Sequence, residues 1–137
     1  MKTFKRLFAL FLALFAVLGL ASCDKASDGF SIYREQKIAE LASLNEVVEE
    51  IEFTTCEYVH IEIDHASDVY YYEVFVYVRG KGDIRDFFMW HEGAETIQYI
   101  NEYTFTESKG KVLRGEVEGE IDYIKNLQRR VTIGKTE

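Results

Sequence analysis

The chain has 137 residues, with 24 acidic against 16 basic side chains and a formal net charge of −8. That balance repels phosphate backbones and anionic lipid surfaces, so nucleic acid is excluded as a natural partner and adhesion to a membrane by charge is disfavoured. A cationic ligand or a basic protein surface is the more compatible partner, although acidity also serves solubility.

The first residues carry Lys2, Lys5 and Arg6, and no acid precedes Asp24. From Leu7 to Ala21 every residue is apolar or glycine. A charged start followed by a short apolar run is the pattern of a secretory signal. A permanent membrane span needs roughly 20 apolar residues, so the run is short for one. It closes on Leu20-Ala21-Ser22-Cys23. This tetrapeptide resembles the lipobox of bacterial lipoproteins: a large aliphatic residue, two small ones, then cysteine. The resemblance covers only residues 1–23. It implies cleavage after Ser22, a diacylglycerol on the Cys23 thiol and an acylated (palmitate-type) new amine. The protein would then be anchored in the cell membrane or outer membrane by that lipid, outside the cytoplasm.

Removal of 1–22 would leave 115 residues and take away three positive charges and no acid, moving the formal charge from −8 to −11. That length suits one domain. All the tyrosines and the tryptophan lie in this part, ample material for a core. With Cys23 lipidated, Cys56 has no partner for a disulfide, and a lone thiol without a basic neighbour stays protonated. Residues 23–30 are short and polar and read as a lipidated tether; 31–134 read as the domain.

From Ser31, an acceptable N-cap, to about Glu50 the pattern is helical. Ile38, Leu41, Val48 and Ile51, with Leu44 nearby, form an apolar stripe. Phe53 opens a change to a period of two. Strands are predicted at about 53–63, 69–79, 84–91, 96–106 and 111–118, with short turns at 64–68, 80–83, 92–95 and 108–110. Glu120–Gly134 is ambiguous: Ile121, Ile124 and Leu127 fit a short helix, while Val131–Ile133 fit a sixth strand. Short connections imply an antiparallel meander. The expected fold class is α+β, an N-terminal helix packed on a four- to six-stranded sheet. In outline this is similar to cystatin-like and related small envelope domains, a likeness that carries no function.

Both faces of the central strands are apolar, where a sheet with one wet face would alternate. The predicted helix side is the β-branched one, with Val59, Ile61 and Ile63 beside Val74, Val76 and Phe87. Tyr58, Phe75 and Phe88 are then expected in a row across the opposite face, flanked by Trp90, Tyr71 and Tyr77. Exposed, those aromatic rings would be a binding surface for a protein, a peptide or a small apolar ligand. Covered, they would be core.

His60, Glu62 and Asp64 share one face of the first predicted strand. His65 and Asp68 lie in the following turn, and the meander brings His91 and Glu92 to the same end. Such a group could take a divalent metal, though the spacing matches no diagnostic motif. Cys56 and His60 are about 13 Å apart along a strand, too far for a thiol–imidazole pair. Gly80-Lys81-Gly82 lacks the frame of a phosphate loop, and the chain carries no nucleophile elbow or other catalytic signature. The sequence therefore points to a membrane-anchored, non-enzymatic binding module without a cofactor, with a divalent-metal-binding lipoprotein as the alternative.

Overall fold

The computed structural model describes residues 25–43, 50–62, 68–125, 127 and 130–132. The predicted leader, Cys23, most of the 64–68 turn and His65 lie outside this set. Among the described residues no helix is long and apolar enough to cross a membrane.

Helix α1 spans Lys25–Ala42. It begins at Lys25 rather than Ser31, so residues 25–30, expected in the tether, form its first turns. Polar Lys25, Ser27 and Asp28 disguise the register, because the positions that matter are Ala26 and Phe30. With Tyr33, Lys37 and Leu41 these are buried at intervals of three and four, one face of a helix. Gly29 is required by the packing. A Cβ there would come within 2.8 Å of the Trp90 ring and closer still to the Tyr72 hydroxyl, which donates to the Ala26 carbonyl at 2.8 Å. Leu41 and Ile38 keep their predicted place against the core, while Ile51 belongs to the sheet.

Strands β1 (Glu50–Ile61), β2 (Val69–Val78), β3 (Gly82–His91) and β4 (Gln98–Tyr99) form an antiparallel meander. The chain then makes helix α2 (Glu102–Leu113) and returns to the far edge of β1. There β5 (Gly119–Tyr123) pairs with Glu57–Ile61 and β6 (Arg130–Thr132) with Glu50–Glu52. The fold is α+β, a helix and a six-stranded antiparallel sheet with a second helix inserted.

That second helix replaces two predicted strands. Of the 96–106 strand only Gln98–Tyr99 forms, and 111–118 is the end of α2 and the turn after it. The alternation Tyr103-Thr104-Phe105-Thr106 suggested a strand, since these types favour pleated surfaces. Asn101 overrides it: its backbone is extended and its side chain accepts from the Thr104 amide at 2.8 Å, capping the helix. Phe105, Ser108 and Val112, spaced by three and four, then turn inward. At the C-terminal end, the helical spacing of Ile121 and Ile124 is overruled by pairing with β1, while the predicted sixth strand agrees with β6.

The two faces of the sheet also differ from expectation. Arg79, Gly80 and Lys81 alone join β2 to β3, with Gly80 and Gly82 at φ of 90° and 105°. This turn is shorter than the predicted one, and a slip of one residue exchanges the faces of a strand. In β1 a bulge between Phe53 and Thr55 makes a second exchange, putting Ile51 and Phe53 on the same face as Cys56 and Tyr58. Helix α1 therefore covers Ile51, Phe53, Cys56, Tyr72, Val74, Val76, Phe88 and Trp90. Val59 and Phe87, predicted to lie with Val74 and Val76, are on the other face under Phe105 of α2.

Under α1 the core is largely aromatic. The Phe88 ring has Tyr33 and Tyr72 stacked on it, each with centroids at 4.4 Å and planes within 8°. The Tyr33 hydroxyl donates to Asp86 at 2.7 Å, and Lys37 pairs with the same carboxylate at 2.9 Å. Burial opposes the Lys37 charge, but Asp86 outweighs it and holds the ammonium above the ordinary lysine range.

Candidate functional site

Among the described residues, helix α1 starts at Lys25, beside the last rows of the sheet. Tyr72 is capped by the carbonyl of Ala26, and beyond it the row Glu120, His60, Tyr70 and Trp90 runs across β5, β1, β2 and β3 with only the first residues of the helix beside it. An open cleft of about 330 Å³ results, floored by Tyr58, His60 and Tyr70 and rimmed by Asp68, Glu92, Glu120 and Lys25.

Its side chains are held from several directions. His60 stacks on Tyr70 with centroids at 4.4 Å and an interplanar angle of 5°. The His60 Nε2 lies 2.8 Å from the Asp68 carboxylate, which stands one residue before β2. Tyr58 donates its hydroxyl to Glu120 at 3.2 Å. Lys25, the first residue of α1, reaches across the mouth to Glu92 at 2.6 Å. Glu92 itself is fixed by the turn after β3, where its amide donates to the Asp68 carbonyl at 2.9 Å.

The electrostatics follow from these neighbours. Burial and then the Glu92 and Asp68 charges push the Tyr70 hydroxyl up to about 12. Burial and Glu120 raise Tyr58 further. Both phenols are therefore neutral donors at physiological pH and poor bases or nucleophiles. The Cys56 thiol, also on the α1 face, is 1 % exposed and pushed well up by burial and by Glu57 and Glu73. A smaller cavity of about 200 Å³ beside it is lined by Thr54, Tyr123 and Leu127 among others. Chemically the large cleft offers carboxylate acceptors, phenol hydroxyls and an imidazole held by a carboxylate.

No protein-family model, curated protein or solved structure matches the chain.

The six rings expected to form one aromatic face, Tyr58, Tyr71, Phe75, Tyr77, Phe88 and Trp90, do not do so. Phe88 is fully buried and Trp90 is 3 % exposed, both under α1. Tyr58 shares their face but opens to the cleft. Tyr71 and Phe75 point to the opposite side, where Tyr71 packs beside α2 and Phe75 is 40 % exposed. The row Tyr58, Phe75, Phe88 is replaced by Tyr58, Tyr72, Phe88, because the pairing between β2 and β3 joins even-numbered residues to even-numbered ones. Of the metal candidates, Asp68 and Glu92 are on the cleft, His91 is exposed on the other face and His65 lies outside the described residues. Among the described residues no group of three or more His, Cys, Asp or Glu is placed to hold a metal ion.

What sequence reading missed was the part of Tyr70, Glu120 and Lys25. Lys25 sat in the presumed tether and Glu120 in the ambiguous tail. The visible signal was the gathering of His60, Asp68 and Glu92 at one end of a meander, and the structure brings those three to one end of the sheet.

Proposed function

We propose that the protein is a lipid-anchored envelope lipoprotein that binds a small ligand without covalent chemistry, in the cleft beside its anchor. One observation carries this reading: Lys25 and Ala26, which line the cleft, follow the lipobox cysteine almost directly. Two residues of extended chain span no more than about 7 Å. A diacylglycerol on Cys23 would therefore hold this end of the sheet at the membrane surface. There is no slack for a long tether, since residues 25–30 belong to a packed helix. The acidic domain is repelled by anionic headgroups, so a covalent lipid is the physical means of keeping it there; two or more acyl chains suffice for stable anchoring.

Binding rather than catalysis is supported by the cleft's inventory, in which the hydroxyls are phenols held protonated. Mass spectrometry of the mature protein purified from membranes tests the anchor. The expected N-terminal residue is an acyl-modified Cys23, and Cys23→Ser should leave an uncut, non-acylated chain. A mature terminus elsewhere, or a bare Cys23, would refute the reading.

A further inference from the structure

We infer that the ligand of the cleft is an organic ammonium group, carried by a small soluble amine or by the headgroup of a membrane lipid. This rests on the proposed binding role and names the chemistry that the role requires.

Charge decides the sign. Asp68, Glu92 and Glu120 bring three carboxylates to the cleft, and among the described residues Lys25 is the one lysine or arginine lining it. Lys25 is spent on Glu92. Among the described residues Glu120 is met by the neutral Tyr58 hydroxyl and Asp68 by His60, so neither has a lysine or arginine partner. A phosphate or carboxylate ligand would enter against this charge. A cation would complete it.

The walls decide the kind of cation. The floor is made of Tyr58, His60 and Tyr70; His60 lies flat on Tyr70, which is 4 % exposed, so the ring left to meet a ligand is that of Tyr58, whose face carries the negative side of the aromatic quadrupole and attracts alkylammonium groups. A bare metal ion would instead demand several carboxylate or imidazole ligands converging on one point, and the described residues contain no such group. The volume, about 330 Å³, is at the small end of ligand pockets and suits an amine of a few carbon atoms rather than a peptide.

The native lipidated protein, reconstituted in bilayer discs, provides the test. The single tryptophan is a built-in reporter, since Trp90 lies 5.6 Å from Tyr70 between ring centroids. In discs of phosphatidylglycerol alone, choline and putrescine should change Trp90 emission saturably, whereas 3,3-dimethyl-1-butanol, the uncharged isostere of choline, should not. Glu120→Gln, on an exposed edge-strand position that the fold does not need, should weaken binding about tenfold, the worth of one charge-assisted contact. Asp68→Asn should do likewise, with circular dichroism confirming that each variant is folded. Discs that also contain phosphatidylethanolamine separate the sources. If the headgroup ammonium fills the cleft, choline and putrescine lose apparent affinity there; if the ligand is soluble, they bind equally in both discs. No saturable response in phosphatidylglycerol discs together with identical emission in the two disc types would overturn the inference. So would an equal response to the uncharged isostere, or unchanged binding in both variants. An acylated Cys23 with no ammonium binding would leave the anchor standing and remove only the ligand.

Discussion

The two faces of the sheet are both apolar in sequence, yet they are packed in different ways. Under α1 lies a continuous aromatic core in which Tyr33, Tyr72 and Phe88 stack with almost no exposure. Under α2 lies a small cluster of Val59, Phe87 and Phe105, and the same face also carries charge: Glu57 and Glu73 are cross-strand neighbours, answered by Lys109 and Arg85. The difference teaches that hydrophobic pattern alone does not say which face is the core. The helix that arrives with more buried aromatic side chains takes the larger share, and the cleft lies beside the first described residues of that helix.

Truncation of the two cores should separate them most clearly. Phe88→Ala removes a fully buried ring with stacking partners on both sides and should cost about 3–5 kcal/mol in urea denaturation. Phe105→Ala should fall at the low end of that range, about 3 kcal/mol, because α2 can settle into part of the space. A larger loss for Phe105 than for Phe88 would reverse the assignment of the principal core.

Lys109→Met probes the charged face. It leaves Glu57, 8 % exposed, beside Glu73 without its ammonium at 2.8 Å. Breaking a buried pair costs several kcal/mol, but about a third of the Lys109 side chain is exposed, so about 1–2 kcal/mol is expected at neutral pH. The Glu57 hydrogen bond raises the Lys109 pKa against the opposing effect of burial. A raised folded pKa means that the contribution is complete below the ordinary lysine value, about 10.4, and is lost as pH rises through the higher folded value. The stability gap between native and Lys109→Met should therefore be constant through neutral pH and close in strong alkali. A gap that widens with pH would refute the assignment.

Much of this was legible in the sequence. The period-two runs located β1, β2 and β3 to within a few residues, since strand existence depends on local alternation. Which face each run presents was not legible, because it hinges on one residue in the Arg79–Lys81 turn and one in the bulge near Phe53, neither of which alters the alternation nearby. The aromatic binding face failed for that reason. The cleft was half legible: His60, Asp68 and Glu92 were foreseen at one end of the sheet. Glu120 and Lys25 were not, because they join the group only through pairing at the far edge of β1 and an early start to α1.

Helix α2 was misread through its strand-like residues, and its cap measures how much local chemistry it took to overrule them. Asn101→Ala removes the acceptor of the Thr104 amide and should cost about 1 kcal/mol, as N-caps typically do. Asn101→Asp should restore most of that loss, since a carboxylate serves the same amide and suits the positive end of the helix. If Ala and Asp variants were equally destabilised, the cap would not be what secures the helix against the strand.

The smallest effect tests the outcome for the predicted aromatic face. Phe75 is 40 % exposed on the side that α2 leaves open, and its ring carries the Arg85 guanidinium at 5.5 Å from the centroid. Losing that contact and a partly exposed ring should change stability by no more than about 0.5–1 kcal/mol, so Phe75→Ser should stay folded with nearly native denaturation. Phe88→Ser, its counterpart in the original pattern, should be unfolded or close to it. The pair thus asks one question of two rings that sequence alone placed in a row. A severe loss at Phe75 would mean that the α2 side is packed as tightly as the other, and the contrast between the two faces would disappear.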